Sequence, residues 1–291
     1  MNTIRLDSSH LGSINLGSIQ NVPVIHVRHP KATADISLFG GQVLRFQPTN
    51  SHQRLWLGER AIFNHSTAIR GGIPLCWPWF GNHKPGPDPL SQPAHGFARQ
   101  SLWNLDHSES DEQEARLRLS LSANEHTLSL WPHHFKLHLD IIIGESLTLV
   151  LTSKNTGAKP WSYTGAFHSY FATDDIRQSE LTGLGQPYLD SVDNGTPCNG
   201  NGTLAFAKAL DHVYTAPETN CVLSLPQGTT QIAATGHDSL VAWSPWREGA
   251  AAMADLTDDD YLRMFCVEPA VFQQPVCLQP GEEHVVRMTI S

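Results

Sequence analysis

The sequence has little charge and no long apolar run. Charged side chains make up 16% of its 291 residues, with nineteen basic against twenty-eight acidic groups and a formal net charge of −9. That scarcity of basic residues excludes the broad positive surface of a nucleic-acid binder. An anionic small-molecule ligand stays open, because two arginines can grip a phosphate inside an acidic protein. The longest apolar stretches, such as Ile141–Ile143, fall far short of a membrane span. Cysteine is sparse too. Cys76, Cys198, Cys221, Cys266 and Cys277 are odd in number, widely spaced and free of any CxxC pair. The first residues lack the apolar core of a signal peptide. Together these give the expectation of a reduced, cytoplasmic protein whose thiols are small core residues. The sixteen histidines include no HxH, HExxH or Cys/His cluster with ligand spacing. The adjacent His133 and His134 would point to opposite faces of a strand, so neither a metal nor another cofactor is expected. Neither a GxSxG elbow nor a phosphate-cradling P-loop occurs.

What is present is period-two alternation. Ala115, Leu117, Leu119 and Leu121 alternate with polar neighbours, as do Phe135, Leu137, Leu139 and Ile141, then Leu147, Leu149 and Leu151. The segment from His284 to Ile290 reads the same way. Half-buried strands produce this pattern and helices do not. Gly, Pro, Asn and Asp clusters such as Asp193–Pro197 mark tight turns between strands. Two short stretches invite a helix: Ser122–Glu125, which matches a capping box, and the acidic Thr257–Tyr261. The stretch from Asn82 to Pro93 reads as one long loop, more often functional than idle at that length. With 40% apolar residues, the expected fold is all-β, a large antiparallel sandwich forming one domain over residues 1–291.

The densest local signal is Arg70-Gly-Gly-Ile-Pro-Leu-Cys-Trp-Pro-Trp-Phe-Gly81. Gly permits close backbone approach, Pro fixes the path, and a tryptophan such as Trp79 offers a face on which a sugar ring can lie. The same residues could equally build a rigid packed corner with a surface arginine. His95-Gly-Phe-Ala-Arg99 follows, with a His free to project into a cleft or to serve as a structural hydrogen-bonding group. Arg99 suits an anion or a structural ion pair. In Phe167-His168-Ser-Tyr-Phe171, a strand would set His168 and Tyr170 on one face, among aromatics. Glu268 closes the apolar run Met264-Phe-Cys-Val-Glu-Pro269 and reads either as a buried functional carboxylate or as a solvent-facing strand end. Asp211, in Leu210-Asp-His-Val-Tyr214, could bind hydroxyls or initiate a turn.

Taken in order, RGGIPLCWPWFG, HGFAR, TGAFHSYF, LDHVY, VAWSPW and MADLTDDDYLRMFCVEPA resemble the aldose 1-epimerase superfamily, and within it the hexose-6-phosphate mutarotase branch. The resemblance runs from about residue 20 to the end. It implies a β-supersandwich of the galactose mutarotase type and metal-free interconversion of α and β sugar anomers. It further implies Glu268 as base, His168 as acid and His95 as a second active-site histidine. Arg70 and Asp211 match substrate-binding positions. For the phosphate, Arg70 and Arg99 are the natural contacts, with Lys84 a third. One departure is His212, where the branch pattern has Arg before Val-Tyr. The implied partner is a small sugar phosphate, and the implied state a monomer.

This chemistry makes a physical demand. An ordinary Glu, with a pKa near ~4.3, is a weak base at neutral pH, so burial should raise it, while a carboxylate nearby should help His168 hold its proton. A broad bell-shaped pH dependence follows. Two rivals share the sequence signals: a free-aldose mutarotase of the same fold, and a carbohydrate-binding protein without catalysis.

Overall fold

The period-two segments form the strands that their spacing demands. The computed structural model describes residues 4–9, 12–81 and 92–291. Ala115–Ser122, Phe135–Ile143, Leu147–Asn155 and Glu283–Ile290 are neighbouring strands of one nine-stranded sheet. Phe135–Ile143 alternates buried and half-buried residues along its whole length, with Phe135, Leu137, Leu139, Ile141 and Ile143 turned inward. A second sheet is a five-stranded meander from Ile4–Ser9 to Gln42–Pro48. The third has eight strands, with Leu210–Tyr214, Ser239–Ser244, Met264–Leu278 and Trp161–Phe167 side by side at its centre. Pairings between the described strands of these sheets are antiparallel. Residues of all three sheets, including Ile25, Leu139 and Val267, share one apolar core. The all-β expectation therefore holds.

Met264–Leu278 is the strand that matters most. Its first eight residues are buried on both faces. Phe265, Val267 and Val271 enter the main core. Met264 and Cys266 turn the other way, into a smaller cluster with Trp56, Tyr170 and Tyr261. Strand alternation then places Glu268 on the face of Met264 and Cys266. The sequence had suggested that Glu268 ends this strand. It lies instead within it, because Pro269 sits where Leu240 pairs across and the chain runs on to Leu278.

The short helices also differ from expectation. The helix Glu125–Leu130 is capped by Asn124, whose side chain accepts from the Thr127 N–H while the Thr127 hydroxyl accepts from the Asn124 N–H, so the reciprocal cap falls two residues after Ser122. Thr257–Tyr261 yields only a tight turn over Asp260–Leu262. A helix at Trp246–Ala251 had no sequence signal. Cys76, Cys221 and Cys266 are buried as expected, but Cys277 is exposed and Cys198 half-buried, since both lie on strands near turns.

Candidate active site

Two backbone segments are laddered together beside the Met264–Leu278 strand. Trp161–Phe167 pairs with that strand through Ala166 opposite Ala270, and Ser169–Ala172 pairs with it through Ser169 opposite Val267. The register is the same on both sides of the gap, which sets His168 opposite Glu268. Within the gap the His168 N–H donates to the Pro74 carbonyl at 3.0 Å, and the Tyr170 N–H donates to the Gly72 carbonyl at 2.9 Å. The Arg70–Pro74 stretch is thereby tied to the histidine segment. Gly72 is required here: its φ is +62°, and a Cβ would fall onto the Val43 carbonyl. Likewise a Cβ at Gly96, φ +74°, would fall onto the Trp77 carbonyl, so the HGFAR and CWPWFG segments meet backbone to backbone.

These segments and the strand enclose a cleft of about 530 Å³. Arg70, His95, Arg99, His168, Asp211 and Glu268 all line it. The two residues nearest in role are also nearest in space: His168 Nδ1 lies 3.5 Å from Glu268 Oε1, with Glu268 only 2% exposed. Glu268 Oε2 and His168 Nδ1 are buried without a hydrogen-bond partner among the described residues. Unpaired buried polar atoms are costly, and in a cleft they mark groups kept for a ligand. The His168 ring stacks on Tyr170, centroids 4.9 Å apart and 11° from parallel, and meets His95 edge-on at 5.6 Å.

The surroundings act on both groups in the same sense, toward neutrality. Burial pushes the Glu268 carboxyl well above the usual carboxylate range, and Asp211 adds to this. Burial also pulls His168 well below the usual imidazole value, reinforced by His95, Arg99 and Arg70. The expected rise at Glu268 is thus found, but the expected support for a proton on His168 is reversed. Desolvation and the neighbouring arginines outweigh the carboxylate. His95 is lowered to about 4, first by burial and then by Arg99 and Arg70. Its Nδ1 accepts the Gly81 N–H at 3.3 Å, so the neutral ring carries its proton on Nε2.

Arg70 is held at two points, its Nε donating to Asp255 Oδ2 at 2.9 Å and its Nη1 to the Tyr170 hydroxyl at 2.9 Å. Arg99 donates through Nη2 to the Ala94 carbonyl at 2.8 Å, and its buried Nε has no partner among the described residues. Among those residues no carboxylate lies within ion-pair distance of Arg99, which weakens the ion-pair alternative. Trp79 is not brought into this cleft. It is buried, donates to the Pro93 carbonyl and borders a neighbouring apolar cleft, while Phe80 lines the cleft with Glu268. Lys84 and most of the long loop lie outside the described residues.

Three participants had not been singled out in the sequence as site residues. Asp255 sits inside the MADLTDDDY segment as one acid among several, with nothing to mark it as the partner of Arg70. Tyr170 was legible as a face-mate of His168. Cys266, two residues before Glu268 on the same strand face, joins His168 and Glu268 to offer nitrogen, sulfur and oxygen atoms within 4.8 Å of one another. Sequence spacing gave no hint of this set. Burial pushes the Cys266 thiol up, which disfavours the thiolate that a metal ion would need.

The aldose 1-epimerase family profile matches residues 23–291. The chain belongs to the aldose 1-epimerase family. Members of this family are isomerases, so the reading as a binding protein without chemistry falls away. A protein of Cenchrus ciliaris named "Putative glucose-6-phosphate 1-epimerase" is 37% identical over 271 residues, covering 89% of this chain and 80% of that protein. One of the same name from Escherichia coli K12 is 32% identical over 259 residues, covering 87% and 84%. A crystal structure from Salmonella typhimurium, described as a "putative mutarotase", superposes with a TM-score of 0.90 at 28% identity, covering 98% of this chain and 94% of that one. The chain has a galactose mutarotase-type β fold, and a sugar is the class of molecule on which the family acts. None of the described helices is long and apolar enough to cross a membrane.

Proposed function

We propose that this epimerase interconverts the α and β anomers of a hexose 6-phosphate, with Glu268 and His168 as the proton-transfer pair. The observation that carries the reading is the approach of these two buried groups, 3.5 Å apart with unpaired atoms, in a cleft that also holds two guanidinium groups. Ring opening requires a proton to leave the anomeric hydroxyl and another to reach the ring oxygen as the C1–O5 bond breaks. Glu268 takes the first proton and His168 gives the second. The open aldehyde turns about C1–C2, and the steps reverse on the other face.

The pair needs one proton between its members. Burial favours the uncharged arrangement, a carboxyl group beside a neutral imidazole. The carboxylate–imidazolium arrangement contains the same number of protons, so reaching it requires no exchange with solvent. His95 presents Nε2–H as a hydrogen-bond donor toward the sugar, and Asp211 accepts from a hydroxyl.

Arg70 and Arg99 bind the phosphate. Both line the cleft with unused donors: two of the five N–H groups of Arg70 are engaged, and Arg99 has a hydrogen bond from Nη2 to the Ala94 carbonyl. Anomer-exchange NMR on glucose and glucose 6-phosphate, corrected for spontaneous mutarotation, tests this. The expected outcome is a kcat/KM for glucose 6-phosphate higher by roughly 10² or more, lost largely in Arg99→Gln. Equal rates on the two sugars would remove the phosphate from the reading and leave a free-aldose mutarotase.

A further inference from the structure

Tyr170 is neither a member of the proton-transfer pair nor an arginine of the anion clamp, yet it touches both. Its hydroxyl accepts from Arg70 Nη1 at 2.9 Å. Its ring lies nearly parallel to the His168 imidazole, 4.9 Å away at 11°. Trp56 and Trp243 pack against its other sides, and it is 2% exposed. The backbone repeats the connection, because the N–H groups of His168 and Tyr170 donate to the carbonyls of Pro74 and Gly72, just beyond Arg70. Arg70 and His168 are therefore not free to move independently. We infer that Tyr170 is a positioning residue through which capture of a 6-phosphate by Arg70 sets His168 for proton transfer. The phosphoryl group then speeds opening of the sugar ring as well as holding the sugar in place. This rests on the reading of Arg70 as a phosphate contact.

Geometry supplies the mechanical half of the argument. With Nε on Asp255 and Nη1 on Tyr170, the guanidinium keeps a fixed plane and presents its remaining N–H groups to the cleft. A phosphate drawn onto those donors pulls on a group whose other anchor stacks on the acid. Charge supplies the second half. Facing His168 are Glu268, His95, Arg99, Arg70 and the Tyr170 hydroxyl. The Arg70 charge opposes a proton on His168. A dianion on Arg70 offsets that charge beside the imidazole, where the ring oxygen needs a donor. Remote binding then acts at the reacting atoms and appears in kcat.

The test separates the phosphoryl group from the sugar. Anomer exchange of free glucose is measured with and without added inorganic phosphite, and kcat and KM are measured for glucose 6-phosphate, in the wild type and in Tyr170→Phe. Phenylalanine keeps the ring on His168 and removes the acceptor for Arg70. Phosphite should accelerate glucose exchange by the wild type about tenfold, and by Tyr170→Phe less than about threefold. In the variant, kcat for glucose 6-phosphate should fall about tenfold while KM moves less than about threefold, a split that general loosening would not produce. The inference is overturned by a variant with unchanged kcat, by a change confined to KM, or by phosphite that competes with glucose 6-phosphate yet activates nothing. If wild-type rates on glucose and glucose 6-phosphate are equal, the phosphate reading fails and this inference with it. If glucose 6-phosphate is preferred but the variant keeps its kcat, only the inference fails. Should Tyr170→Phe not fold, a wild-type enzyme that phosphite fails to activate still overturns the inference.

Discussion

Glu268 and His168 respond to burial in opposite directions on the pH scale, and that fixes the shape of the rate profile. The pair is active with one proton. It gains a second only below the usual histidine range, because His168 is pulled down by burial and by His95, Arg99 and Arg70. It loses its last proton only above the usual carboxylate range, because burial and Asp211 push Glu268 up. Both limbs of the kcat/KM profile therefore move outward, leaving a broad plateau around neutrality whichever member carries the proton at rest. A profile of glucose 6-phosphate exchange between about pH 4 and 10 checks this, and a narrow optimum would contradict it. Glu268→Gln removes the base, so kcat should drop by roughly 10² to 10⁴ and the acid limb should disappear, leaving a rate that still needs a protonated His168. His168→Ala should fall by a similar factor and lose the alkaline limb, since its residual rate needs only an ionised Glu268. Near-normal exchange in both variants would leave the proton transfers without carriers and sink the assignment.

At the scale of elements, the site depends on backbones that meet without side chains between them. Gly96 lies against the Trp77 carbonyl in a left-handed conformation, which joins the loop carrying His95 and Arg99 to the segment carrying Arg70. Gly96→Ala adds both a clash and backbone strain, and should cost about 2–4 kcal/mol with loss of catalysis. Gly81→Ala is the control. Gly81 also has a positive φ of +83°, but nothing lies within 4 Å of its Cβ position, so only the milder backbone strain of about 1 kcal/mol applies. Thermal melts of the two variants should separate clearly, and equal losses would refute the close-approach argument. The strands and the six cleft-lining residues were legible in advance, since alternation marks half-buried strands and family motifs mark chemistry. The register that sets His168 opposite Glu268 was not, because it arises from pairing between segments distant in sequence. The displacement of Trp79 was equally hidden: period-two reasoning cannot say which of two adjacent aromatics, Trp79 or Phe80, faces the sugar. The downward pull on His168 was not legible either, because its burial is a property of the assembled cleft.

For the whole molecule, the histidines set the response to acid. Eight of them, His52, His95, His133, His138, His168, His212, His237 and His284, are lowered, each first by burial. In the unfolded chain these groups gain protons near the ordinary value of 6.5, while in the folded chain they resist until lower pH. The unfolded state thus binds more protons in that window, and stability falls as pH falls. His95, held at about 4, alone accounts for about 1 kcal/mol between pH 7.5 and 5.5. The more exposed members contribute less, because solvent screens them. Glu268 and Asp211 act in the opposite sense, since both are raised and their unfolded forms lose protons first. Two opposing carboxyl groups against eight histidines leave the net slope positive between about pH 5 and 6.5. Calorimetric melting should therefore show Tm lower by at least about 4 °C at pH 5.5 than at pH 7.5. Substituting His95 with Gln, which cannot titrate, should flatten part of that slope even if it lowers Tm at both values. A Tm that is constant or higher at pH 5.5 would mean that the buried histidines take up protons in the folded state as readily as in the unfolded one, against the effect assigned to their burial.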